Sequence, residues 1–335
     1  MTKPIASLSL DLDNKWCYLR THGVAGWDKY PSYLDTVVPR VLRACTARDL
    51  QLTCFVVGRD AAIDDNADAL TALAAAGHEM ANHSFSHEPW LHTLPRARLE
   101  TEICSAEETI ERVTGQRPIG FRGPAYSLCD DVLEILAKRS YQYDASTFPT
   151  YIGPLARWYF RHTATAAAAE EAERRELFGS LREGFRSIRP YVWNTAAGSL
   201  VEIPVTTFPL VRLPIHMTYL VYLWQFSPRL ARTYIRLALA TCRLLKVAPS
   251  MLLHPLDFLG PEDDADMRFF PGMKVPRAEK MELLDEVLAQ LTAAYRLVPL
   301  REHVAEVRAR LGVRPPNAAT APIEASLAAT ADSSN

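Results

Sequence analysis

Ile5-Ala6-Ser7-Leu8-Ser9-Leu10-Asp11-Leu12-Asp13 is the stretch that decides the fold. The apolar run Ile5–Leu10 reads as a strand that ends on two carboxylates at i and i+2. Strand side chains alternate faces, so Asp11 and Asp13 point the same way. Further along, Asn82-His83-Ser84-Phe85-Ser86-His87-Glu88-Pro89 carries two histidines at i and i+4. On a helical turn such a pair shares one side and can close on one cation. The four side chains offer two imidazoles and a carboxylate for a metal, with one carboxylate left over. A metal hydrolase needs that set: three ligands with an open position for water, and a separate base.

Working outward, strand-like and helix-like stretches alternate nearly throughout. Strands are predicted at Ile5–Leu10, Leu52–Val57, His78–Asn82, Ile119–Arg122, Tyr141–Ser146, Leu200–Thr207, Ser250–His254 and Arg296–Leu300. Helices are predicted between them, among others at Ser32–Arg48, Asp64–Ala76, Arg96–Val113 and Asp130–Arg139. Gly77 and Gly115 stand where helices commonly stop. Such alternation builds a parallel sheet, and seven or eight units close economically as a barrel. Barrels carry their chemistry at the C-terminal ends of the strands, and Asp11, Asp13, His83, Arg122 and His254 all fall there. Two regions depart from the alternation. The Ala-, Glu- and Arg-rich stretch 164–190 reads as a helical insertion, and the tail 312–335 cannot bury a core and is expected to be disordered.

The chain has 335 residues, 48% hydrophobic and 23% charged, with a net charge of -2. That balance suits a soluble α/β domain spanning 1–311 and argues against nucleic acid as a partner. Six scattered cysteines form no Cys-x-x-Cys pair and read as buried thiols of a reduced protein. Met1-Thr2-Lys3-Pro4 leads directly into the first strand without a signal-peptide pattern, so a cytoplasmic location is expected. No stretch has the roughly 20 apolar residues of a membrane span. Gly-x-Ser-x-Gly and phosphate-loop motifs are absent, which disfavours a serine nucleophile and nucleotide-driven chemistry.

Five motifs stand in order: Asp11-Leu12-Asp13; Gly77-His78-Glu79 leading to His83 and His87; Phe121-Arg122-Gly123-Pro124; Tyr143-Asp144-Ala145-Ser146; and Leu253-His254-Pro255. The set resembles the polysaccharide deacetylases of carbohydrate esterase family 4, and most nearly the branch with Asp-x-Asp and a closing His-Pro. The resemblance implies a distorted (β/α)7-type barrel. It implies Asp13, His83 and His87 as ligands of a divalent metal, foremost zinc, with other first-row metals open. It implies Asp11 as general base, Arg122 as the group that holds it, and His254 as the acid that protonates the leaving amine. Asp144 or Asp257 would orient His254, with the Tyr-Asp-Ala-Ser context favouring Asp144. Where the family commonly has Arg-Pro-Pro-Tyr, this chain has Arg122-Gly123-Pro124-Ala125-Tyr126, so the oxyanion-facing N–H would belong to Ala125. His78 is assigned to structure, and His216 to surface or core.

The expected function is metal-dependent removal of an N-acyl group, foremost N-acetyl, from an amino sugar in glycan or glycolipid precursor biosynthesis. Alternatives are a deacetylase or deformylase of a lipid-linked sugar at the inner membrane leaflet, a hydrolase of a small non-sugar amide, and an inactive glycan-binding module. The intact site argues against the last.

One window has no place in that reading. Ile203–Leu256 contains no Asp or Glu, although the chain holds 39, and it carries Arg212, Arg229, Arg232, Arg236, Arg243 and Lys246. Within Pro228–Val247 the arginines at 229, 232, 236 and 243 share a helical face. The preceding Ile215–Phe226 is apolar and aromatic. Two readings stay open: an interfacial element that meets an anionic membrane beside the active-site rim, or an ordinary barrel helix with its arginines in solvent.

Overall fold

The structure, a computed structural model, describes residues 3–153, 181–270 and 272–313. Its frame is a curled sheet of seven parallel strands. In chain order these are β1 (Ile5–Asp11), β2 (Thr53–Val56), β3 (Glu79–Asn82), β4 (Gly120–Phe121), β5 (Tyr143–Asp144), β7 (Gly198–Glu202) and β8 (Ser250–Leu253). Their spatial order is β7-β5-β4-β3-β2-β1-β8. The two ends of this row meet where Thr206 N–H donates to the Ser250 carbonyl (3.1 Å) and Ser250 N–H donates to Thr206 Oγ1 (2.6 Å). This is the (β/α)7-type barrel, distorted by a seam of two hydrogen bonds in place of a ladder. A ninth strand, β9 (Arg296–Val298), pairs with the first half of β1.

All eight predicted strands are present. The hairpin strand β6 (Tyr191–Thr195), antiparallel to β7, was not predicted. Its residues are mostly half-buried, so it has no apolar run to announce it. The helical insertion predicted over 164–190 lies outside the described residues up to 180. Past that point come a 3-10 turn, Leu181–Phe185, and the approach to the hairpin. The predicted disordered tail falls outside the described residues beyond Val313.

Strand β1 shows how sequence becomes layer. Ala6, Leu8, Leu10 and Leu12 face the helices and belong to the largest apolar cluster. Helix Leu34–Thr46 meets that cluster with Leu34, Val37, Val38, Val41, Ala44 and Cys45, the spacing of one helical face. The alternate residues Ser7, Ser9 and Asp11 enter the barrel lumen, where polar groups sit beside the apolar Phe55, Ala81 and Val201. Ser7 Oγ meets His303 Nδ1 at 2.9 Å, and Thr53 Oγ1 donates to Glu79 Oε2 at 2.6 Å. Helix Leu300–Leu311 plugs the lower end; its first N–H groups, at Leu300 and Arg301, donate to Thr53 Oγ1 and Glu79 Oε2. His78 braces β2, as assigned, by accepting the Leu52 N–H at 3.2 Å.

The acid-free window forms helices Met217–Phe226 and Pro228–Leu244 and then β8. The second helix leads into the N-terminal end of β8, so it runs away from the active-site rim. The expectation that all four arginines line that rim is therefore corrected: Arg243 lies toward the opposite end. Arg232 does not stand free either. It pairs with Glu282 and Glu286 of helix Arg277–Ala294, each at 2.7 Å, and its guanidinium lies 4.6 Å from the Trp224 ring centroid. Acids missing from the window come from a neighbour distant in sequence.

Burial of His303 generates a pH dependence. Desolvation, helped by the Arg310 charge, lowers its pKa from 6.5 to about 4. Between these values the unfolded chain takes up a proton that the folded chain refuses. Stability therefore falls as pH drops through that window, by up to roughly 3 kcal/mol. Between pH 6.5 and 4 the parent should lose more thermal stability than His303→Gln, because the variant lacks this loss. Parallel curves would exclude it.

Candidate metal centre and active site

Asp13 follows β1, where its backbone carbonyl accepts the Tyr33 hydroxyl at 2.5 Å. His83 follows β3. Its Nδ1 lies 2.6 Å from the Arg122 carbonyl. A carbonyl can only accept, so Nδ1 carries a hydrogen and, in the neutral ring, Nε2 keeps its lone pair. That Nε2 is 3.2 Å from Asp13 Oδ1, and His87 Nε2 is 3.0 Å from the same oxygen. The three ligand atoms lie within 4.8 Å of one another and all three residues are buried. Asp13 Oδ1 and His87 Nε2 are buried without a hydrogen-bond partner despite their proximity. Burial would raise the Asp13 carboxyl, but His87 and His83 beside it hold it well below its ordinary range. Two imidazole nitrogens and a carboxylate oxygen, converging without a hydrogen bond between them, fit a divalent cation.

The histidines do not share a helical turn, so that part of the sequence argument is corrected. They flank a loop in which Ser84 and His87 adopt left-handed φ of 61° and 48°. Residues the sequence reading missed hold it. Glu102, buried on helix Arg96–Thr114, accepts the N–H groups of Phe85 (3.1 Å) and Ser86 (2.7 Å). Asn82 Oδ1 accepts the Ser84 N–H. Gly58 and Arg59 N–H groups donate to the carbonyls of Ser84 and Phe85. A Cβ on Gly58 would lie 2.7 Å from both Ala106 Cα and Phe85, so a larger residue could not approach. Asp60 forms a second support. Buried and pushed up to about 7 by desolvation, it accepts from Asn14 Nδ2 and Trp16 Nε1, each at 2.8 Å. Trp16 in turn sets its ring edge-on to His87. Asn14 had a legible signal, a helix-capping residue directly after Asp13. Glu102 and Asp60 had none.

Arg122 is fully buried and grips Asp11 Oδ1 at 2.5 Å. Its other bonds run to Ser9 Oγ (3.1 Å) and the Ala145 carbonyl (2.9 Å). At the end of β8, His254 Nδ1 is 3.0 Å from Thr218 Oγ1, and the Thr218 hydroxyl donates to Asp257 Oδ1 at 3.1 Å. Since that hydroxyl gives its hydrogen to Asp257, it accepts from His254 Nδ1–H. Asp257 Oδ2 also accepts the His254 backbone N–H. Asp257, through Thr218, is therefore the carboxylate linked to His254. Asp144, which the sequence favoured, instead accepts from Ser146 N–H and Oγ. It stands opposite Glu202 in the ladder, and burial together with the Asp144 charge pushes the Glu202 carboxyl well above its usual range.

Beside His254 lies an aromatic wall the sequence did not announce. His216, assigned to surface or core, is buried with its ring 5.6 Å from that of His254 and packed on Phe148 and Tyr219. Desolvation, then the charges of His254 and Arg122, keep its pKa well below the ordinary value. Tyr126 stacks on Phe148 at 4.7 Å. The longer turn after Arg122 is absorbed by left-handed φ at Ala125 (50°) and Tyr126 (62°).

Residues 24–143 match the family model for polysaccharide deacetylase, a span that includes His83, His87 and Arg122. The chain is 28% identical over 109 residues to the peptidoglycan deacetylase of Helicobacter pylori, covering 32% of this chain and 36% of that one. It is 31% identical over 75 residues to a peptidoglycan deacetylase-like protein of Gibberella zeae, covering 22% of each. These matches span about a third or less of the curated relatives' length. In fold it is similar over 96% of its length to a Mycobacterium smegmatis protein described as a polysaccharide deacetylase, of which 95% is covered, with TM-score 0.61 and 20% identity. A second such structure, from Pseudomonas aeruginosa, gives TM-score 0.55 at 17% identity, covering 93% of each chain. The family model thus matches part of the chain, and the two solved structures, both below 25% identical, show a shared fold.

Proposed function

We propose that this chain is a metal-dependent hydrolase that removes an N-acyl group, foremost N-acetyl, from an amino sugar, and that it belongs to the Asp-x-Asp, His-Pro branch. One observation carries the reading: a ligand-like triad, an arginine-held carboxylate and a carboxylate-linked histidine occupy one rim of one barrel. Asp13, His83 and His87 would hold the metal, foremost zinc, which when bound supplies Lewis-acid activation of water and of the acyl carbonyl. Asp11 takes the proton of the attacking water. Its salt bridge to Arg122 holds it aimed, because the guanidinium is itself fixed by Ser9 and Ala145. His254 gives a proton to the departing nitrogen from Nε2, since Nδ1 is engaged by Thr218. Asp144 keeps a supporting role: its Ser146 partner also accepts the Gly123 N–H and so fixes the turn after Arg122.

The test is elemental analysis of the purified protein, followed by acetate and formate release from soluble and lipid-linked N-acyl amino sugars with and without chelator. Metal-free protein with chelator-insensitive turnover would end the proposal. His83→Ala and His87→Ala should lose both metal and activity. Asp11→Asn should keep the metal and lose turnover; equal metal loss in Asp11→Asn and Asp13→Asn would show the two roles misassigned. Thr218→Val should retain metal and KM while kcat falls about tenfold, part of the ~10²–10⁴ typical of general acid catalysis. Thr218→Ser should restore it, and a rate unchanged in Thr218→Val would remove the relay.

A further inference from the structure

Helix Pro228–Leu244 repeats one dipeptide every seven residues: Arg229-Leu230, Arg236-Leu237 and Arg243-Leu244. Seven residues are close to two helical turns, so leucines and arginines stack in two adjacent rows along the helix. Both rows stand in solvent. Leu230, Leu237 and Leu244 are 48%, 54% and 79% exposed, and the three arginines are exposed with them. Thr233 and Ala240, also exposed, complete the face. Other sides of the helix are occupied. Ala231, Ile235, Ala238 and Cys242 are buried, Arg232 is paired with Glu282 and Glu286, and Tyr234 donates to the Pro214 carbonyl. Phe208 packs on Tyr234, and in the loop that follows Phe208, Leu210 and Val211 are 70% and 51% exposed. Among the described residues, Arg229, Arg236 and Arg243 form no salt bridge. Single exposed leucines are ordinary, but an aligned row beside unpaired cations with no acid on the face is not.

We propose that this face docks the protein on an anionic lipid bilayer, with the helix lying along the membrane plane. Its 17 residues give a ridge about 25 Å long. The leucine row enters the boundary between headgroups and acyl chains, while guanidinium forks meet lipid phosphates. Charge selects this occupant over a second copy of the chain. Two copies packed on the leucine row would set three unpaired arginines near three others, with no carboxylate on the face to relieve them. No helix of the described residues is long and apolar enough to cross a membrane, so the contact is peripheral. Nothing in the proposal depends on the metal site.

The experiment is co-sedimentation of the full chain with vesicles of phosphatidylcholine alone, and of equimolar phosphatidylcholine and phosphatidylglycerol. Binding is expected to the mixed vesicles alone and should be lost in high salt. Neutralising one arginine should weaken it about fivefold, and Arg236→Glu by more than tenfold. Leu237→Glu should abolish it with an unchanged circular dichroism spectrum, since the side chain packs in no core. Arg232→Gln, which alters a cation already satisfied by acids, should bind as the parent does. Absence of binding to the mixed vesicles, or Arg236→Glu binding as well as the parent, would overturn the proposal. So would lipid-free self-association, read by sedimentation velocity, that Leu237→Glu abolishes; a second copy would then occupy the face.

Discussion

The site depends on the burial of one guanidinium. Arg122 is fully enclosed by the barrel, against the face of Phe55. Removing such a charge from water costs several kcal/mol, which must be offset by partners held in good geometry. Those partners are spread over the sheet: Ser9 and Asp11 on β1, and Ala145 just past β5. Its backbone carbonyl simultaneously fixes the ring of His83. A single residue at the end of a two-residue strand thus links the carboxylate offered as base to an imidazole offered as ligand. Displacing it would leave Asp11 buried without its counter-charge and His83 without a defined tautomer.

Around this link the barrel interior mixes polar and apolar groups. The apolar face of β1 points outward to the helices, while its inner face presents Ser7, Ser9 and Asp11 to a lumen where Phe55, Ala81 and Val201 pack on Leu300, Val304 and Val307 of the plug helix. Several polar groups there share partners, as Glu79 does by accepting from Thr53, Tyr143 and the Arg301 N–H. Satisfied networks of this kind hold their members in one geometry, because any shift leaves a buried polar atom unpaired. The upper end of the barrel opens on Asp13, His83 and His87, where Asp13 Oδ1 and His87 Nε2 have no hydrogen-bond partner.

Support from outside the barrel interior is of another kind. The His83–His87 loop has no regular structure of its own, so its backbone groups are satisfied by Glu102, Asn82 and the first N–H groups of helix Gly58–Ala61. Close approach of that helix is allowed by the missing side chain of Gly58. A loop pinned at several points can position a ligand as well as a helix does, and it can carry the left-handed residues that turn His87 toward Asp13.

How much was legible follows from the range of the interactions. Strand positions, the helix stops at Gly77 and Gly115, and the rim placement of Asp11, Asp13, His83, Arg122 and His254 follow from local pattern and order along the chain. Alternating faces and helical periodicity are properties of neighbouring residues. Strand β6 escaped because half-buried residues carry no apolar run. The choice of Asp257 over Asp144 escaped because it is made by Thr218, 36 residues before His254 and brought to it by the helix after the barrel seam. Glu102 and Asp60 escaped for the same reason: a buried carboxylate on a helix looks like any surface acid until its partners are in place. That Arg232 meets acids while Arg229, Arg236 and Arg243 meet none among the described residues was likewise decided by which helix packs alongside. The sequence by itself determined which chemistry the chain could carry, since residue types and strand order are local. Tertiary structure decided which charges meet, because that depends on distances between segments far apart in the chain.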